Sequence, residues 1–360
     1  MGIRRISTVL SIASASALLL SSCAVNEMGL PTGSDLTGTI VGGGASSQQA
    51  AQEIWIASFQ SDNPNTTVEY DPAGSGAGRD MFLAGGAAFA GSDRAFTPEE
   101  LEAGEFGACV PGSGIVELPA YVAPIVVVFN LAGVDALNLD PKTIAGIFAG
   151  DIDRWDGEAI ATQNPGVDLP DARITPVHRS DESGTTENFT DYLAAAAGDA
   201  WPYEPNGTWP FEGGEASQGT SGVVDSVRNG TGTIGYVDAS RAGGLGQVAV
   251  KVGEDYVGYS AEAAAAIVDA SSIEPGRGEG DLAIELDRTT EEAGVYPIVL
   301  ISYLIGCEQY AAGIDAEVVR AYFEYVISDA GQQAASQNAG SAPLSAQTRE
   351  RAAAAAALIG

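Results

Sequence analysis

The chain has 360 residues, 48 acidic side chains against 16 basic ones and a single histidine, for a formal charge of −32 at pH 7. Such a field repels polyanions and excludes nucleic-acid binding through a basic face. The 45% hydrophobic and 18% charged composition likewise excludes a wholly disordered chain. The length points to about two domains. Only Lys142 and Lys251 are lysines, so any anion bound here must be held by few positive charges and by uncharged donors.

Met1 to Arg5 carry two positive charges, Ile6 to Leu20 form a mostly apolar core, and Ser21-Ser22-Cys23 follows at once. This pattern predicts a secretory signal over residues 1–22. The apolar run is too short and too interrupted by serines for a comfortable membrane span. Leu20-Ser21-Ser22-Cys23 resembles a bacterial lipobox. That resemblance implies cleavage before Cys23, acylation of its thiol and amine by fatty chains such as palmitate, and anchorage to the outer face of the cell membrane. Residues 23–37 read as a tether. Cleavage would remove Arg4 and Arg5 and no acid, leaving 14 basic against 48 acidic side chains, a charge of −34. In an exported chain the two remaining cysteines, Cys109 and Cys307, favour a disulfide over a pair of buried free thiols.

In chain order, Gly38 to Val41 reads as a strand, Ser47 to Gln60 as a helix and Thr67 to Tyr70 as a second strand. A glycine-rich turn over 71–78 leads to a helix from Arg79 to Ala84, and Phe89 to Ser92 gives a strand ending at Asp93. Thr97-Pro98-Glu99-Glu100 is a helix start, with Thr97 as cap and Glu100 three residues on. Tyr121 to Asn130 is the most strand-like run, followed by a helix from Pro141 to Phe148. A strand over Ile174 to His178, a helix over Ser183 to Ala197, a helix over Gly222 to Arg228 and a strand over Gly232 to Val237 come next. Residues 240–294 read as less regular. Val295 to Leu304 is again β-branched, Asp315 to Ser328 is an amphipathic helix, and Arg351 to Leu358 a terminal one. The alternation predicts an α/β fold with a largely parallel sheet.

Three turns join a strand to a helix with glycines and hydroxyls: Gly44-Ala45-Ser46-Ser47, Gly74-Ser75-Gly76-Ala77 and Asp181-Glu182-Ser183-Gly184-Thr185-Thr186. Each places free backbone N–H groups and a hydroxyl at a helix N-terminus, the arrangement a tetrahedral oxyanion needs. One such turn is ordinary capping, but three in one chain with Arg179 beside the third point to a site. Arg179 can fork onto two oxygens of one ligand. Asp93 is the informative acid: a carboxylate only accepts hydrogen bonds, so it tolerates an oxyanion neighbour only if that neighbour carries a proton. Such a site selects hydrogen phosphate and rejects sulfate.

These residues resemble the PstS family, the phosphate-specific substrate-binding proteins of bacterial ABC transporters. The likeness is carried in order by Gly42-Gly43-Gly44-Ala45-Ser46, Ala73-Gly74-Ser75-Gly76-Ala77-Gly78, Gly91-Ser92-Asp93, Arg179-Ser180-Asp181-Glu182-Ser183-Gly184-Thr185-Thr186, Gly232-Thr233-Ile234-Gly235-Tyr236-Val237 and Tyr296-Pro297-Ile298. It implies a type II periplasmic-binding-protein fold: two α/β lobes joined by two extended crossings, with the ligand in the cleft. Residues 38–120 plus 295–360 would form lobe I and residues 121–294 lobe II. The resemblance further implies phosphate contacts from Ser46, Ser47, Ser75, Arg179, Ser183, Gly184 and Thr185, with Asp93 accepting the ligand's proton and pairing with Arg179. Where relatives often have Thr-Phe, this chain has Ser46-Ser47, and position 47 would supply only a backbone donor. Partners would be inorganic phosphate and the permease and ATPase subunits of an importer. No cofactor, metal or nucleic acid is expected, and the chain is expected to be a monomer rather than an enzyme. The alternatives are a receptor for sulfate or molybdate and, less favoured, a serine hydrolase, for which His178 would have to be the base. The serine turns do not spell G-x-S-x-G, and no Walker lysine is present.

Overall fold

The computed structural model describes residues 34–360. The expected signal over 1–22, the expected acylated Cys23 and residues 24–33 of the 23–37 tether lie outside the described residues. Among the described residues no helix is long and apolar enough to cross a membrane.

The elements in order begin with β1 (Gly38–Gly44), α1 (Gln49–Asp62), β2 (Thr66–Asp71), α2 (Ser75–Leu83), β3 (Phe89–Ser92) and α3 (Pro98–Ala103). Next come β4 (Ile115–Asn130), β5 (Ala136–Leu139), α4 (Pro141–Ala149), α5 (Glu158–Ala161), β6 (Thr175–Arg179), α6 (Gly184–Ala196), β7 (Glu215–Ser217), α7 (Gly219–Asn229) and β8 (Thr233–Asp238). The chain finishes with β9 (Gly246–Val252), β10 (Asp255–Val257), α8 (Ala261–Ala270), β11 (Ser272–Ile273), β12 (Ile284–Glu285), β13 (Val299–Cys307), α9 (Ala316–Ile327), α10 (Asp329–Ala339) and α11 (Ala346–Ala356).

Strands follow the order β2-β1-β3-β13-β4-β8-β6-β7. β1, β2 and β3 are parallel to one another, as are β8, β6 and β7. The two halves are joined by antiparallel strands, because β4 pairs antiparallel with β13, β8 and β9. The expectation of a largely parallel sheet therefore holds only for β1–β2–β3, for β8–β6–β7 and for β5 with β9; the pairings of β3 with β13, of β4 with β13, β8 and β9, and of β9 with β10 are antiparallel. The reason is topological: the chain leaves one half along β4 and returns along β13, so the two passages must run in opposite directions. This gives two α/β lobes with two extended crossings.

β4 is buried along its length up to Asn130, as a run of Val, Ile and Phe covered on both faces should be. Its prolines sit where a missing N–H does least harm. Pro119 faces Tyr303 at the register shift after Ser302, and Pro124 is the last residue opposite β13 before Ile125 takes up β8. The same strand thus changes partner without leaving an orphaned ladder donor.

α2 begins at Ser75 rather than Arg79, so the glycine turn is already helical. The stretch 240–294 holds β9, β10 and α8, and α10 follows α9 directly. α10 has almost no apolar period; it is fixed by tertiary bonds, including Trp55 Nε1–H donating to Gly331 O at 2.7 Å and Gln332 Nε2–H donating to Ala120 O at 2.9 Å.

Cys109 and Cys307 form a disulfide with Cα atoms 5.4 Å apart, across 198 residues of chain. It ties the segment after α3 to the end of β13. Closing so long a loop restricts the unfolded chain, so the Cys109→Ser/Cys307→Ser double variant is expected to lose about 2–4 kcal/mol of stability. A urea unfolding midpoint measures this, and an unchanged midpoint would count against it.

Candidate functional site

Each expected loop opens a helix. Ser46 to Gln48 form a single 3₁₀ turn into α1, preceded by Gly44 at φ +142°. A side chain on Gly44 would collide with the Gly91 carbonyl, whose oxygen accepts from Ala45 N–H at 2.8 Å. Glycine therefore lets β1 and β3 deliver their loops side by side. Ser75 is the first residue of α2, and Ser183 caps α6, its Oγ accepting from Thr186 N–H at 3.2 Å.

These helix starts converge on Asp93. Thr185 Oγ1–H donates to Asp93 Oδ2 at 2.9 Å, and Ser47 Oγ–H to Oδ1 at 2.6 Å. Ser302 Oγ–H, from the middle of β13, also donates to Oδ1 at 2.6 Å. Asp93 N–H donates to Ser75 Oγ at 3.2 Å, and Asn188 Nδ2–H to Asp93 O at 2.6 Å. A Cβ on Gly184 would stand 2.5 Å from Asp93 Cβ and 2.7 Å from Ser75 Oγ, so only glycine allows α6 to approach this closely. Asp93 is 2% exposed. Burial pushes its carboxyl above the ordinary value, against the pull of the Ser302, Ser47 and Thr185 hydroxyls and of the Arg179 charge. Ionising Asp93 is thus uphill for the fold, a pattern that marks functional sites.

Arg179 ends β6 and is 3% exposed. Its expected partner is Asp93; its actual partner is Asp181, two residues on. Nε–H donates to Asp181 Oδ1 at 2.8 Å and Nη2–H to Oδ2. The turn after β6 brings this near carboxylate onto the fork, while three hydroxyls donate to Asp93 instead. Asp181 Oδ1 also accepts Gly219 N–H at 3.0 Å. Against burial, which raises it, the Arg179 guanidinium brings the Asp181 carboxyl below its ordinary value. The Tyr236 hydroxyl of β8 accepts Arg179 N–H at 3.3 Å and lies 2.7 Å from Thr186 Oγ1, tying β6 to α6.

Ser46 meets a fourth helix start. Thr220 N–H, in the first turn of α7, donates to Ser46 Oγ at 3.2 Å, and the two hydroxyls are 3.0 Å apart. Two ion pairs flank these contacts: Arg79 with Glu182 at 2.7 Å, and Arg94 with Glu187 at 2.7 Å. All of them join residues below 120 to residues above 178, the geometry of a closed cleft.

All eight expected site residues, Ser46, Ser47, Ser75, Asp93, Arg179, Ser183, Gly184 and Thr185, are buried and lie on these converging loops. Five participants are not among the expected ones: the Ser47 hydroxyl, Asp181 as the Arg179 partner, Thr220, Asn188 and Ser302. Gly219-Thr220 repeats the glycine–hydroxyl signature of the other loops, and Ser302 is the one serine in a strand otherwise made of apolar residues, Tyr303, Gly306 and Cys307, so both carry a signal in the sequence. The hydrolase alternative finds no base: His178 Nδ1 faces Arg179 O and Nε2 faces Gly213 O, each at 2.9 Å, and its ring stacks on Trp209.

Residues 31–330 match the model of a PBP superfamily domain. Phosphate-binding protein PstS 3 of Mycobacterium tuberculosis is 32% identical over 356 residues, covering 94% of each chain. The chain belongs to the PstS family. PstS 2 of the same organism is 34% identical over 309 residues, 84% of this chain and 82% of the relative. Two solved structures share the fold. The phosphate-bound high-affinity periplasmic phosphate-binding protein PfluDING has a TM-score of 0.69 at 22% identity, covering 87% and 92% of the two chains. A putative phosphate ABC transporter substrate-binding protein from Clostridium perfringens has 0.60 at 17%, covering 86% and 100%.

Proposed function

We propose that this protein binds inorganic phosphate outside the cell and hands it to the permease and ATPase subunits of an ABC importer. The observation that carries the reading is Asp93, a buried acceptor set among helix N-termini and hydroxyls. Its Oδ1 already receives two hydroxyl protons and its Oδ2 one, so Oδ2 has capacity left for a proton from the ligand. Hydrogen phosphate and dihydrogen phosphate supply that proton; sulfate and molybdate at neutral pH do not. Donors come from Arg179, the hydroxyls of Ser46, Ser75 and Ser183, and the backbone N–H groups of Ser46, Ser47 and Gly184; the Thr185 hydroxyl and the Ser183 N–H, expected among them, are engaged by Asp93 Oδ2 and by the Gly207 carbonyl, each at 2.9 Å. The names of the Mycobacterium relatives support the ligand, and the fold shared with a protein named a putative phosphate ABC transporter substrate-binding protein is in keeping with the importer.

In this reading the lobes are 38–120 plus 295–360 and 121–294, a division supported by the change of partner at Pro124 and Ile125. The protein acts as a monomeric carrier without catalysis, acylated at Cys23 and held on the outer face of the cell membrane. Closure of the lobes on phosphate is a hinge motion biased by the ligand. Equilibrium dialysis of the stripped protein against labelled phosphate tests the binding step. Retention of about one phosphate per chain is expected, and no retention would remove the proposal.

A further inference from the structure

Behind Asp93 a file of fully buried polar side chains runs into the core: Ser302 of β13, Gln48 before α1, Gln52 of α1 and Tyr322 of α9. The direction of every hydrogen bond in it is determined by chemistry. Gln48 faces the Tyr303 carbonyl at 3.0 Å, which can only accept, so the Gln48 amide must present its nitrogen there. That same nitrogen gives its second hydrogen to Ser302 Oγ at 2.6 Å. Gln48 Oε1 accepts from Gln52 Nε2–H at 2.8 Å, and Gln52 Oε1 accepts from the Tyr322 hydroxyl at 2.6 Å. Because Ser302 Oγ receives a hydrogen from Gln48, its own hydrogen is the one pointed at Asp93 Oδ1, 2.6 Å away. Reversing that last bond would leave the Ser302 hydrogen without an acceptor among the described residues. The glycine of Gly91-Ser92-Asp93 belongs to the same arrangement: a Cβ there would stand 2.9 Å from Gln48 Oε1 and collide with Tyr70 Oη.

We propose that Tyr322, Gln52, Gln48 and Ser302 form a one-way donor relay that commits Asp93 to accept, making Ser302 and Gln48 positioning residues for the choice of a protonated oxyanion. This rests on the phosphate-binding reading. The relay acts on Asp93 together with Arg179 of β6, Ser47 and Thr185, and the through-space neighbours Tyr70, Asp238 and Tyr121. Burial pushes the Asp238 carboxyl up to about 7, so it contributes a background common to wild type and variants.

The test is calorimetric titration with phosphate and with sulfate from acid to neutral pH, on wild type, Ser302→Ala, Ser302→Thr and Gln48→Met. Sulfate can bind only when Asp93 is protonated and donates to it. Losing a donor to the ionised carboxylate favours protonation, so in Ser302→Ala sulfate binding should begin about one pH unit higher than in wild type, a roughly tenfold change at a given pH. Gln48→Met should move it the same way by less, and Ser302→Thr should restore the wild-type onset. Gln48→Met also serves if Ser302→Ala does not fold. An equal loss for both anions with no shift in onset would overturn the relay while leaving phosphate binding intact. A wild type that does not bind phosphate would overturn the underlying reading with it.

Discussion

Asp93→Asn is expected to let sulfate bind at neutral pH and to cut the preference for phosphate by at least about a hundredfold. The amide keeps an oxygen for Ser47 and Ser302 to donate to, but it puts an N–H where Oδ2 now stands. An acceptor aimed at the ligand becomes a donor, so the fully deprotonated anion gains a bond where phosphate loses a charge-assisted one. Folding should not suffer. Because the folded-state value of Asp93 is raised, the folded protein holds this proton more tightly than the unfolded chain does. Its contribution to stability therefore falls as pH rises from the ordinary carboxylate value through the raised one. A neutral side chain removes that cost, and the melting temperature at neutral pH should stay level or rise. Parallel calorimetry and thermal unfolding separate the two effects: lost selectivity with retained stability is the functional outcome, whereas lost stability with retained selectivity would make Asp93 a structural residue.

The second large effect is that of Arg179→Ala. The guanidinium is 3% exposed, and its bonds to an anion would be charge-assisted at about 1.5–3 kcal/mol each. Two of them correspond to roughly a hundredfold to ten-thousandfold in affinity. The substitution also strips Asp181 of its fork and leaves an unneutralised carboxylate beside the ligand, so the upper end of that range is expected. Arg179→Lys should recover only part, since an ammonium keeps the charge without the planar fork. Phosphate titration of the two variants measures this, and near-native affinity in Arg179→Ala would be the contrary result.

Much of the fold was legible because its signals are local. Thr97, Pro98 and Glu100 form the capping box their spacing promised, and the amphipathic face of 315–328 is buried as α9. The three loops that converge on Asp93 were legible as helix starts for the same reason: glycine, hydroxyl and helix start are adjacent in the chain. What escaped depends on residues far apart in sequence. Ser302 reaches Asp93 across 209 positions and Thr220 reaches Ser46 across 174. The partner of Arg179 escaped for the opposite reason, since Asp181 was close at hand but the family resemblance pointed to Asp93. α10 escaped because its sequence has little apolar period and it is held by bonds that Trp55 donates to Gly331 O and Gln332 donates to Ala120 O. The acidity of the chain has a bounded role as well. The formal charge of −32 opposes anion capture at long range, so in the proposed reading affinity comes from helix N-termini, hydroxyls and one arginine at close quarters.

The central claim is that Asp93, held as an acceptor, selects a protonated oxyanion. Calorimetric titration of the phosphate-free wild-type protein at neutral pH, first with sulfate and then with phosphate, tests it most directly. No heat from sulfate, and tight binding of one phosphate in its presence, is the predicted result. Sulfate binding with comparable affinity, or sulfate displacing phosphate, would contradict it.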